Sequence, residues 1–493
     1  MSDQLRFIIG AADNNNPVEQ LAGMSNRHGL IAGATGTGKT ITLQTLAESF
    51  SRLGVPVFAA DIKGDLSGIA SAGTPHPKID ERLQKIPLTD YVQRPYPVIF
   101  WDIIGKKGHP IRSTISEMGP LLMSNLLDLN DTQAGLIYSC FRIADDDGLL
   151  LLDLKDLRSM LTWMNDNSKE LRGEYGNISG ASIGAIQRKL LVLEEQGAEY
   201  FFGEPAVQLS DLMQTDFSGN GVISIMDVST LISMAPKVYA TFLLWLLSEL
   251  FEQLPEVGDQ EKPKLIFFFD EAHILFDQAP KVLIEKIEHV VRLIRSKGVG
   301  IYFISQSPLD IPEEVLGQLG LKIQHALRAF TPKDRKVIKS VAQSFRENKK
   351  FDSMQVLTEL GIGEALVSTL DNKGRPLPVQ RTLIRPPESR IGPLSDDERK
   401  ERIERSPFKG RYSTLIDRES AYEMLKKRTA EELQVQQNKA AQLEAEKQTK
   451  PAKGRKKQSI GDAFAKSAAR SIGSYVGRQI IRGVLGSIFG GKR

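Results

Sequence analysis

Short runs rich in β-branched and aromatic residues, bounded by Gly, Pro or Asp, recur at residues 29–32, 55–61, 97–102, 222–227, 265–270, 300–305 and 323–330. Segments with apolar residues at helical spacing separate them. That alternation predicts an α/β fold with a parallel-type central sheet and crossover helices. Strands that end on Asp bear on function, because ligands of doubly wound sheets gather outside the carboxyl ends of the strands. Asp102 and Asp227 are read more simply, as residues that begin a turn.

Between residues 111 and 213 the strand pattern stops, and Ile183, Ile186, Leu190 and Leu193 fall on one helical face. The chain is therefore divided into a first part of the sheet domain (1–110), a helical insertion (111–215) and a second part (216–386). The second part has further strand-like segments at 364–370 and 379–384 and a boundary at Pro386-Pro387. Residues 387–446 are charged, helix-favouring and poor in large apolar side chains, the composition of a solvated helical extension or of disorder.

The helical tail, 447–493, differs. Lys447, Lys450, Lys453, Arg455, Lys456 and Lys457 form a basic run. Phe464, Ala468, Ile472, Val476, Ile480, Val484 and Ile488 then follow at helical spacing, flanked by Arg470, Arg478 and Arg482. A basic amphipathic helix can pack on protein, whether a partner or its own domain, lie on an anionic membrane, or bind nucleic acid.

Composition narrows the classes. A net charge of +3 over 493 residues neither requires nor excludes nucleic acid. The single Cys140 cannot form an internal disulfide, and the six His residues show no metal-ligand spacing with it, so no zinc site is expected. There is no apolar stretch of about 18 residues and no cationic-then-apolar leader. The expected location is cytoplasmic, with peripheral membrane association through the tail left open.

The chemistry begins at Gly33-Ala34-Thr35-Gly36-Thr37-Gly38-Lys39-Thr40, after an apolar strand and at the start of a helix. The glycines let backbone N–H groups wrap a nucleotide's phosphates, and the helix N-terminus adds a favourable dipole. Lys39 supplies a point charge and Thr40 a hydroxyl for Mg²⁺. The run 265–269 ends in Asp270-Glu271. A buried strand delivering this pair puts Asp270 where it can hold Mg²⁺ through water, and Glu271 where it can polarise an attacking water. The next strand delivers Gln306, an amide that could sense a γ-phosphate. ATP and Mg²⁺ are the implied ligands.

The loop, Asp270-Glu271 after an aromatic strand, the strand ending in Ser305-Gln306, and Asp61-Ile62-Lys63-Gly64-Asp65 together resemble the HerA/FtsK superfamily of hexameric ATPases, closest to a bacterial HerA-like group of unassigned role. The likeness covers roughly residues 5–385 and extends to the Arg482-Gly483-Val484-Leu485-Gly486 pattern in the tail. It implies a RecA-like core, a homo-hexamer and a site shared between subunits. It places Asp61 near the catalytic centre. A neighbour's Arg295 or Arg292 would complete the site, with Arg328 as the runner-up. The N-terminal barrel of HerA has little room before Gly33, so HerA's own role in DNA-end processing is not carried over as an expectation. Asp270-Glu271-Ala272-His273 also spells the box of one RNA-helicase group, but the long insertion and the lack of a second core do not fit those enzymes. Two functional classes follow: a ring motor acting on DNA or on a protein chain, and a non-motor assembly ATPase recruited to a membrane or partner protein by its basic tail.

Overall fold

A computed structural model describes residues 4–258, 260–278 and 281–449. Its strands are β1 (Arg6–Ala12), β2 (Asn16–Leu21), β3 (Gly29–Ala32), β4 (Val57–Asp61), β5 (Val98–Asp102), β6 (His109–Pro110), β7 (Ile223–Asp227), β8 (Leu265–Phe269), β9 (Val299–Ser305), β10 (Leu321–His325), β11 (Glu364–Ser368) and β12 (Gln380–Ile384). They form one 12-stranded sheet in the order β2-β1-β12-β11-β10-β3-β9-β8-β4-β7-β5-β6. From β10 to β6 every pairing is parallel. Ala32 lies beside Ser305 and Phe269 beside Phe303, so the carboxyl ends of neighbouring strands come out level.

The central strands are parallel, as the parallel-type expectation has it, but the sheet as a whole is mixed. Beyond β10, strands β11, β12, β1 and β2 pair antiparallel. The two strands ahead of Gly33 escaped the pattern reading, and in β1 a bulge between Ile8 and Gly10 interrupts the alternation. The strand expected over 323–330 ends at His325, and Phe330 is 88% exposed.

The central strands are buried on both faces, so they read as continuous apolar runs. Leu30, Ala32, Phe58, Phe267, Phe269 and Phe303 face one core, which they share with the helices of the insertion and with Pro236–Gln253. Ile31, Val57, Ala59, Phe268 and Ile304 face the other, against the helix Lys39–Arg52. Residues 111–215 hold six α-helices and one 3-10 helix between Ile115 and Leu212. Their capping boxes (Thr114 with Glu117, Asn130 with Gln133, Asp153 with Asp156) fix where three of them start. Ile183, Ile186, Leu190 and Leu193 are all buried.

Pro386-Pro387 is not a boundary of packing. The compact unit runs on to Lys426, held by polar anchors that an apolar count overlooks. Arg399 pairs with Asp227 at 2.8 Å and lies over the Phe100 ring. Phe408 and Tyr412 pack on the buried Trp101. Arg112 donates to the Tyr412 carbonyl, and Ser420 to Asp156. Ala421 and Leu425 join the core at the start of the helix Ala421–Thr449. The basic run from Lys450 onward and the amphipathic tail lie outside the described residues, as does any test of tail docking. No described helix is long and apolar enough to cross a membrane.

Candidate nucleotide-binding and hydrolysis site

The segment from Gly33 to Thr40 joins β3 to the helix Lys39–Arg52. Gly33 has φ +153 and Gly38 φ +114; a Cβ on Gly33 would come within 2.5 Å of the His325 side chain, so both steric room and backbone conformation demand glycine. The loop is braced on β10 and on the turn before β11. Ala34 N–H donates to the Ala326 carbonyl at 2.9 Å, and Gly363 N–H to the Thr37 carbonyl at 2.9 Å. Below it, burial lowers His325 to about 4, so its ring is neutral. Nδ1 lies 2.9 Å from the Glu364 carbonyl, which requires Nδ1–H there and leaves Nε2 to accept from the Thr42 hydroxyl at 2.8 Å.

Lys39 is buried and donates to the carbonyls of Gly33 at 2.6 Å and Ala34 at 3.2 Å. Burial pulls its ammonium below the ordinary lysine value, against the attraction of Glu271. A lysine held by its own loop can turn to a phosphate anion without first being stripped of water. Thr40 is half-buried in the first turn of the helix.

Asp270 follows β8. Its Oδ1 accepts the Glu271 N–H at 3.0 Å. Burial pushes its carboxyl up to about 6 while Lys63 opposes the shift. Such a carboxyl gains strongly from a divalent cation, so Asp270 and Thr40 fit a Mg²⁺ that is otherwise held by nucleotide phosphates and water. Glu271 has φ +46, a left-handed backbone that is costly for this residue type and typical of functional turns. Its Oε1 pairs with Lys63 Nζ at 2.8 Å. Its Oε2 is buried without a hydrogen bond, and His273 Nδ1 stands 3.4 Å away. Burial alone would raise Glu271, yet Lys63 holds it below the ordinary carboxylate value.

Asp61, at the end of β4, is 1% exposed and accepts from the N–H groups of Gly64 at 2.8 Å and Leu66 at 3.0 Å. Burial and the Asp65 charge push it up to about 7. Gln306 follows β9 and is exposed. The strand order places the loop, Gln306, Asp270-Glu271 and Asp61 on the adjacent strands β3, β9, β8 and β4. Arg292 and Arg295 do not join them. Arg292 is exposed near the end of the helix Lys281–Ile294, and Arg295 is in the following turn. Both lead into the amino end of β9, about 20 Å of strand from the loop. Arg328 is exposed just past the carboxyl end of β10.

Lys63, whose ammonium meets Glu271, is a charged side chain of the site that motif reading passed over. It lay within the quoted segment after β4, but only the strand order shows that this segment meets Glu271. His325 and the Gly363 turn gave no sequence signal at all.

A parallel row β10-β3-β9-β8-β4, with a glycine-rich loop after β3 and an Asp-Glu pair two strands away, resembles the RecA-like ATPase core. Residues 6–493 match the family described as helicase HerA-like C-terminal, and the chain belongs to that family. It is 23% identical over 350 residues to the DNA double-strand break repair helicase HerA of Sulfolobus acidocaldarius, a match covering 69% of this chain and 62% of that protein. The chain thus spans less than two thirds of that relative. The solved VirB4 of Thermoanaerobacter pseudethanolicus shares the fold with a TM-score of 0.50 at 16% identity, over 77% of this chain and 96% of that one.

Proposed function

We propose that this chain is an ATP-hydrolysing ring motor acting on DNA. The observation that supports this reading is the adjacency of β3, β9, β8 and β4, after whose carboxyl ends the glycine-rich loop, Gln306, Asp270-Glu271 and Asp61 follow on neighbouring strands. In this reading the N–H groups around Gly36 to Thr40 take the β- and γ-phosphates, and Lys39 leaves the Gly33 and Ala34 carbonyls for them. Thr40 and Asp270 would hold Mg²⁺, which would supply charge neutralisation for the nucleotide. Glu271 accepts the proton of the attacking water, and Gln306 contacts the γ-phosphate. Asp61 fixes the loop that faces Glu271 through its two backbone hydrogen bonds.

Arg292 and Arg295 lie too far from their own loop to serve it. If either acts, it acts on a neighbouring subunit's site, and a head-to-tail contact of that kind closes into a ring, six-fold by family likeness. DNA is the polymer favoured here because the curated relative is a DNA repair helicase. The test is ATP turnover of the full chain with and without duplex DNA, alongside particle mass. Turnover raised by DNA and lost in Glu271→Gln is the expected result. Turnover indifferent to DNA and raised by anionic vesicles would replace the motor by a membrane-recruited assembly ATPase.

A further inference from the structure

The loop between β4 and Leu66 carries two charged side chains that the reading above leaves unused, Lys63 and Asp65. Lys63 Nζ is 2.8 Å from Glu271 Oε1, and the lysine side chain is 41% exposed. Asp65 stands two residues further along. Its Oδ1 is buried and has no hydrogen-bond partner. A buried carboxylate oxygen without a donor is costly, and it is rare in a settled site. Here a cation that could satisfy it is engaged elsewhere on the same short loop.

The loop backbone is not free to drift. Asp61 accepts from Gly64 N–H and Leu66 N–H on either side of Asp65. Any rearrangement therefore falls to the lysine side chain, a flexible four-carbon stem. Across the crevice, Glu271 keeps its left-handed φ of +46, and the next residue is tied to β9 by Ala272 N–H on the Ile304 carbonyl at 2.8 Å. Lysine is the mobile partner and glutamate the fixed one.

An ammonium on Oε1 occupies a lone pair and stabilises the carboxylate, which weakens its pull on a water proton. We propose that Lys63 is a lock on Glu271 and that Asp65 is the acceptor to which Lys63 moves when the site becomes competent. Lys63 and Asp65 are positioning residues: they act through Glu271 and not on the nucleotide. The inference rests on the ATPase reading, and it adds a regulated step to it. Turnover in the resting chain is held down by the 2.8 Å pair, and it rises when the lysine transfers to the unsatisfied Asp65 oxygen.

The test measures kcat and KM for ATP on the full chain for the wild type, Lys63→Ala, Lys63→Arg, Asp65→Asn and Lys63→Ala/Asp65→Asn, with thermal melting to monitor folding. Without DNA, Lys63→Ala should turn over faster than wild type by about tenfold, the worth of one charge-assisted hydrogen bond. Asp65→Asn should be slower by a similar factor with KM unchanged, because the lysine loses its acceptor. The double variant should match Lys63→Ala, since a lock that is absent needs no release. Lys63→Arg, which keeps a donor for Glu271, should stay slow at rest. A defect that was merely structural would not be suppressed by adding Lys63→Ala. The proposal is overturned if Lys63→Ala is slower than wild type, if Asp65→Asn equals wild type, or if the double variant stays as slow as Asp65→Asn. A wild-type chain that binds ATP without hydrolysing it in any condition would instead sink the ATPase reading itself.

Discussion

Replacing Glu48 by Ala tests how the helix Lys39–Arg52 is anchored to the segment that follows β12. Glu48 is 0% exposed near the end of the helix Lys39–Arg52. Its carboxylate accepts from Glu388 N–H at 2.9 Å, Ser389 N–H at 3.0 Å and the Ser389 hydroxyl. Truncation leaves two buried backbone donors without acceptors, each costing about 1–3 kcal/mol. Burial also pushes the Glu48 carboxyl up against those donors, so removing it relieves some desolvation. The net loss should be about 2–4 kcal/mol. The segment should not detach, because Glu388 keeps Arg52 at 3.0 Å, Arg385 at 2.7 Å and the Tyr96 hydroxyl at 2.7 Å. Lys39 lies about 13 Å earlier on the same helix, where Thr42 stays bonded to His325. Nucleotide affinity should therefore fall far less than stability. Urea unfolding followed by the fluorescence of the buried Trp101, with binding of a fluorescent ATP analogue, reads both quantities. A stability change below about 1 kcal/mol would refute the network as an anchor. Equal losses of stability and affinity would refute the separation of its two ends.

Lys39→Ala should lose nucleotide binding, whereas Glu271→Gln should keep it and lose turnover by about 10²–10⁴-fold; equal turnover by Glu271→Gln and wild type would remove Glu271 from catalysis. Mixing subunits carrying Arg292→Ala and Arg295→Ala with subunits carrying Lys39→Ala, each inactive alone, should restore part of the activity, and mixed particles that regain none would argue against an arginine supplied by the neighbour. Burial lowers His28 from 6.5 to about 4, with Arg295's charge assisting. The unfolded chain thus takes up this proton below about 6.5 and the folded chain only near 4. The His28 contribution is complete above 6.5 and is lost as pH falls toward 4, by up to about 3 kcal/mol. His28→Asn should be less stable than wild type at pH 7 by an amount that shrinks across that window, as denaturant midpoints at a series of pH values would show.

The sequence by itself determined the glycine-rich turn between β3 and the helix Lys39–Arg52, because Gly33, Gly36 and Gly38 all take positive φ that glycine adopts most readily. It also determined the parallel strands, whose two-sided burial leaves unbroken apolar runs such as Leu265–Phe269. The insertion was legible for the complementary reason, since Ile183, Ile186, Leu190 and Leu193 repeat at the helical period. Only the tertiary structure decided which strand ends are neighbours. Strand order is a long-range property, and nothing local to Lys63 or Glu271 records that β4 and β8 pair. The same holds for the segment after Pro386-Pro387. Its attachment depends on buried ionic and hydrogen-bonded partners hundreds of residues away, such as Arg399 with Asp227 and Glu48 with Ser389. A charged residue looks alike in sequence whether it meets water or a partner, so the fold alone could tell a solvated extension from a part of the core.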